Sequence, residues 1–137
     1  MSINFYYEDV ADLHLDKKRL KNWITSTIKE EGKLPAELSF IFCSDPYLLE
    51  INKQYLDHDY FTDIITFDYV EGNLVSGDIF ISLDRVSENA DTFRVSFSEE
   101  LNRILIHGVL HLCGYADKLP QEKEIMTQKE DFYLDKL

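Results

Sequence analysis

Basic residues are scarce in this chain. Fourteen Lys and Arg face 26 Asp and Glu, a formal net charge of −12. Broad nonspecific attraction to nucleic acid is therefore not expected, since it rests on Lys and Arg neutralising phosphates. A local basic groove remains open, because the field at a site depends on how charge is distributed. The one modest cluster, Lys17-Lys18-Arg19 with Lys21, reads as a solvated helix face. Cysteine is nearly absent: Cys43 and Cys113 read as free thiols in a reducing cytosol. No apolar run approaches a membrane span. The N-terminus lacks a basic region followed by an apolar stretch, so no signal peptide is expected and the chain reads as cytoplasmic. Repeats, low-complexity segments and linkers are also missing. At 137 residues the chain is expected to form one domain, 1–137, large enough to bury roughly two-thirds of its unfolded surface without disulfide staples.

What is present is a succession of short, well-punctuated elements. Ile3 to Tyr7 is aromatic and β-branched, a strand pattern. Asp16 is placed to cap a helix running to about Glu31, with Leu20, Trp23, Ile24, Thr27 and Ile28 on one stripe and Gly32 at its end. Leu38 to Cys43 reads as a buried strand, and Ser44-Asp45-Pro46 opens a helix to about Leu56. Asp57 to Asp63 is polar and irregular. Ile64 to Tyr69 and Leu74 to Ser82 flank the turn Glu71-Gly72-Asn73 as a hairpin. Asp84 to Arg94 is helical in pattern. Ser96 with Glu99 matches a capping box, with Ser98 as the alternative cap, before an apolar helix carrying two histidines. Pro120 to about Leu134 forms the last helix. The expected fold is α+β: a small mixed four-stranded sheet flanked by about five helices.

The chemistry concentrates in His107-Gly108-Val109-Leu110-His111-Leu112-Cys113-Gly114-Tyr115-Ala116-Asp117. Helix positions i and i+4 share a face, so both imidazoles can reach one cation. Gly114 suits the left-handed residue that ends a helix. The chain can then turn back and bring Asp117 to the same ion. Two His and one carboxylate leave a position for water, the layout of a catalytic rather than a structural zinc. Cys113 would point roughly 160° away from His111 on a continuing helix and is expected to pack inward. Of the other histidines, His14 reads as a surface residue and His58 as a loop residue that can face the site. Metzincin peptidases share the ligand spacing, but their general-base glutamate is replaced by Gly108, so ordinary metallopeptidase chemistry does not follow.

The run His-Gly-x-Leu-His-Leu-x-Gly-Tyr resembles the signature of the YbeY family of bacterial endoribonucleases. A second block agrees: Ile51-Asn52, Tyr55-Leu56, Asp59, Thr62-Asp63, Thr66-Phe67 and Gly77-Asp78-Ile79 follow the family's order and spacing. Order and spacing cover roughly residues 48 to 117. Two departures stand out. Where the family usually places Asp-His, its third ligand being the His, this chain has Ala116-Asp117. Where the family has an arginine after the tyrosine, this chain has Leu56, and neither Lys53 nor Arg103 can be assigned that role from sequence. The resemblance implies a zinc-dependent, single-strand-specific endoribonuclease. It further implies work in rRNA processing, including 16S rRNA 3′ end maturation, and in ribosome quality control, with the ribosome or its small subunit as partner.

On this reading one Zn2+ ion is held by His107, His111 and Asp117. Asp59, Asp63 and Asp78 are the candidate carboxylates for general-base or orienting work. Tyr60, Phe61 and Tyr115 are candidate stacking platforms for unpaired bases. Two other classes compete. A zinc hydrolase of a peptide or small ester would show an accessible sheet edge beside the metal rather than a basic groove. A non-catalytic ribosome-associated protein would close its fourth coordination position.

Overall fold

The computed structural model covers Met1–Leu137. Four strands, β1 (Ser2–Tyr7), β2 (Leu34–Cys43), β3 (Ile64–Asp68) and β4 (Leu74–Ser82), form one sheet in the order β1-β2-β4-β3. β1 and β4 each pair parallel with β2, and β3 runs antiparallel along β4 as a hairpin. Five helices complete the chain: α1 (Lys17–Glu30), α2 (Asp45–Leu56), α3 (Leu83–Phe93), α4 (Phe97–Leu112) and α5 (Pro120–Leu134). The α+β class and the mixed four-stranded sheet agree with expectation. β2 begins four residues earlier than its apolar run, because Leu34 and Pro35 pair with Leu74 and Val75 before a register shift leads to Leu38.

Strand alternation decides which residues meet the helices. On β4, Val75, Gly77, Ile79 and Ile81 are buried, and Gly77 lies against Leu112 of α4. Leu38, Phe40 and Phe42 of β2 join them, with Ile24 and Ile28 of α1 and Leu105, Val109 and Leu110 of α4, in the main core. Ser76, Asp78 and Phe80 point to the opposite face. There a smaller cluster of Cys43, Leu48, Ile51 and Ile65 seats α2. Both cysteines are free and buried, and burial pushes their thiols up, Cys43 to about 12 and Cys113 to about 11. Cys113 packs in the main core, as the helical direction requires. No helix is long and apolar enough to cross a membrane.

Glycines 77 and 108 set how closely α4 approaches the sheet. A Cβ on Gly77 would stand 2.6 Å from the Phe67 carbonyl oxygen and 2.9 Å from Leu112. One on Gly108 would stand 3.0 Å from Ile64 and Ile79. The histidine helix therefore lies directly on the β3–β4 hairpin, and its C-terminal end opens beside the sheet edge formed by β3.

Candidate metal centre

α4 starts where Ser96 accepts the Glu99 N–H at 3.1 Å, so Ser96 rather than Ser98 is the cap. It ends in a Schellman motif: Gly114, at φ 107, donates to the His111 carbonyl and Tyr115 N–H donates to that of Leu110. This reversal swings Asp117 back over the helix. Asp117 Oδ2 lies 3.1 Å from His107 Nε2 and 3.3 Å from His111 Nε2. The three ligand atoms all lie within 4.8 Å of one another.

Each imidazole is held from behind. His107 Nδ1–H donates to Glu130 Oε2 at 2.6 Å, and His111 Nδ1–H donates to the Tyr115 carbonyl at 2.9 Å. A carbonyl can only accept, so Nδ1 of His111 carries a proton, and in the neutral ring Nε2 is left as the atom that can bind a cation. These orienting hydrogen bonds are the support that metal-bound histidines require. Burial opposes charging His107, but Glu130 first, then Asp117 and Asp63, raise its pKa overall. Donor atoms about 2.0–2.1 Å from a tetrahedral ion stand about 3.3 Å apart, the spacing seen here. Two nitrogens, each about that far from one carboxylate oxygen and within 4.8 Å of each other, fit a divalent cation.

A cleft of about 500 Å³ opens over the trio. Asp63, His58, Tyr60 and Lys118 line it, together with Asn52 and Leu56. Burial raises the pKa of Asp63, with the His107 charge opposing and Asp117 adding to the rise. The other candidates lie elsewhere. Asp59 is exposed and reaches Lys53 at 3.5 Å, outside the cleft, because the loop turns its side chain toward α2. Asp78 faces the opposite side of the sheet with Tyr47, Tyr69 and Phe80, since Gly77 rather than Asp78 faces α4. Phe61 lies under the Arg85 guanidinium at 5.0 Å. Tyr115 is no open platform: its hydroxyl donates to Glu31 Oε1 at 2.5 Å and its ring meets Lys129. It serves the site through its carbonyl. Tyr60 alone of the three aromatics lines the cleft, while His14 is exposed at the surface.

Sequence reading missed Glu130, Lys118 and the role of Arg103. Arg103 is tied to Glu130 at 2.8 Å and Asp131 at 2.6 Å, behind the metal trio rather than in the cleft. Glu130 stands 23 residues from His107 on another helix, and no local spacing marks it. Its burial, which would have singled it out, appears only in the folded structure.

A helix carrying two imidazoles, closed by a returning carboxylate over a sheet edge, forms a candidate metal site of the kind hydrolases use. The sequence model of the family described as Endoribonuclease YbeY matches residues 5–137. A protein named endoribonuclease YbeY from Parabacteroides distasonis is 53% identical over 131 residues, covering 96% of this chain and 92% of its own. One so named from Bacteroides thetaiotaomicron is 47% identical over 131 residues, covering 96% of each chain. The solution structure of a Thermotoga maritima protein superposes with a TM-score of 0.69 at 27% identity, covering 98% of this chain and 87% of that one. The chain belongs to the endoribonuclease YbeY family.

Proposed function

We propose that residues 1–137 form one catalytic domain, a zinc-dependent endoribonuclease that cleaves single-stranded RNA. Its work would be rRNA processing, including 16S rRNA 3′ end maturation, and ribosome quality control. It would act in the cytoplasm on the ribosome or its small subunit. The observation that carries the reading is the convergence of His107 Nε2, His111 Nε2 and Asp117 Oδ2 at ligand spacing. Membership of the family supports RNA as the substrate.

His107, His111 and Asp117 would hold a divalent cation, which would supply Lewis-acid charge and acidify water. The protein contributes the rest. Glu130 and the Tyr115 carbonyl fix both imidazole orientations. Asp63, in the cleft and raised by burial, is placed to take a proton from the attacking oxygen. Lys118 on the rim offsets phosphate charge, and the exposed Tyr60 ring offers a face to an unpaired base.

The free edge of β3, whose Ile64, Ile65 and Thr66 line the cleft, is the feature a peptide hydrolase would share. The close packing of Gly108 against Ile64 and Ile79 opposes that second reading. At the position that holds the peptidase base, an added Cβ would stand 3.0 Å from Ile64 and Ile79, so a side chain fits only if these isoleucines give way.

The test is metal content and cleavage of single-stranded against double-stranded RNA, for the wild type and His111→Ala. Near-stoichiometric zinc with single-strand cleavage, both lost in the variant, supports the reading. Bound metal without cleavage in either protein moves the assignment to another substrate or to a binding role. No bound metal in the wild type overturns the ligand set.

A further inference from the structure

The wall of the cleft contributed by the loop after α2 is built by one buried residue. Asn52 is 1% exposed. Its carbonyl accepts the N–H groups of Asp57 and His58, and its Nδ2 donates to the Tyr60 carbonyl at 2.9 Å. Asp57 takes the left-handed conformation, φ 55, that ends α2 and starts the return. Between the two clamps, His58 and Tyr60 join. Their rings stack at 5.0 Å and 21°, and the Tyr60 hydroxyl meets His58 Nδ1 at 2.9 Å. Both side chains line the cleft.

The charges around the site make this pair informative. Asp63 and Asp117 give the cleft two carboxylates, which repel a phosphodiester. The nearest arginines are committed elsewhere: Arg103 to Glu130 and Asp131, Arg85 to Asp45 and Glu88. Lys53 is held by Glu50 and Asp59. Leu56 offers no hydrogen bond. His58 and Lys118 are the nitrogen bases that line the cleft outside the metal trio. Only His58 is fixed there by a backbone clamp and a ring partner. A Tyr60 hydroxyl that donates to Nδ1 leaves Nε2–H as a donor.

We infer that His58 contacts the substrate phosphate across the cleft from the metal trio, with Tyr60 as a positioning residue acting through it. This rests on the endoribonuclease reading above. The ligand class is a single-stranded polynucleotide, gripped through a non-bridging phosphate oxygen by an imidazole N–H.

The test compares wild type, His58→Ala, His58→Arg and His58→Phe. Binding of a fluorescein-labelled single-stranded RNA is read by anisotropy on metal-stripped protein. Cleavage is read on metal-loaded protein, together with metal content and Tm. Loss of a charge-assisted hydrogen bond predicts about tenfold weaker binding and a similar fall in kcat/KM for His58→Ala. Metal content and Tm stay at wild-type values, because His58 is exposed and outside the ligand set. His58→Arg, which keeps a donor, restores binding; His58→Phe, which keeps only a ring, does not. Tyr60→Phe weakens binding when His58 is present and adds nothing in the His58→Ala background. Wild-type binding by His58→Ala, or rescue by His58→Phe, overturns the phosphate contact while leaving the endoribonuclease reading intact. Failure of the metal-loaded wild type to cleave RNA overturns both.

Discussion

Glu130 of α5 joins the metal trio to the fold: one carboxylate oxygen accepts His107 Nδ1–H at 2.6 Å, and the other accepts Arg103 Nη1–H at 2.8 Å. The ligand helix α4 is thereby fastened to α5 at the ring that must not rotate. Glu130→Gln keeps the volume and loses the charge. Partners of this kind are worth about 10–100-fold in metal affinity. The expected result is a zinc affinity lower by that factor, measured by competition with a chromophoric chelator. An unchanged affinity would show that Glu130 only holds the two helices together.

Gly108 occupies the place where a zinc peptidase of similar ligand spacing carries its base. A side chain there meets Ile64 and Ile79 at 3.0 Å, so Gly108→Glu would force apart α4 and the β3–β4 hairpin. Overpacking costs about 1–3 kcal/mol, and a buried carboxylate adds to it. The variant should be less stable in urea and gain no peptidase activity. Peptide cleavage by a stable Gly108→Glu protein would show that the close packing does not shape the choice of chemistry.

The ligand motif was legible because a helix fixes the separation of His107 and His111, and Gly114 announces the reversal that returns Asp117. The rest of the site depends on tertiary register. Asp59 and Asp63 are four residues apart in one loop, yet only Asp63 lines the cleft, because Asn52 and Lys53 hold the intervening backbone and side chains. Asp78 missed the site by one residue of strand alternation. Phe61 and Tyr115 are candidate base platforms by sequence, but Arg85 engages the first and Lys129 and Glu31 the second, contacts that only the tertiary fold creates. The fold class followed from element order. The parallel pairing of β1 and β4 on either side of β2 did not, since a crossover leaves no local mark.

Asp117 stands where the family usually has a histidine, and its oxygen already lies 3.1 and 3.3 Å from the two imidazole nitrogens. A histidine there supplies a neutral nitrogen ligand from a longer side chain. Asp117→His should keep stoichiometric metal, whereas Asp117→Ala should lose it on dialysis, both read by elemental analysis. Full metal retention by Asp117→Ala would remove Asp117 from the ligand set.

Glu31, at the end of α1, gathers three donors: the hydroxyls of Tyr115 and Tyr133 and the Lys129 ammonium. Its side chain is 9% exposed. Burial alone would raise its pKa, but the hydrogen bonds from Tyr115, Tyr133 and Lys129 outweigh burial and leave it below the ordinary carboxylate value. A carboxyl whose folded pKa lies below its unfolded pKa stabilises the fold fully above the unfolded value, about 4.3. That contribution disappears as pH falls through the folded value. Glu31→Gln should therefore cost about 1–2 kcal/mol at pH 7, the scale of a charged hydrogen bond set against its neutral replacement. The gap should hold down to about pH 5 and narrow toward pH 3, measured by urea unfolding at each pH. The same substitution loosens Tyr115, whose carbonyl orients His111, so zinc affinity should fall along with stability at pH 7. A stability gap that stays constant from pH 7 to pH 3 would mean that the carboxylate charge is not what holds α1, α5 and the loop after α4 together.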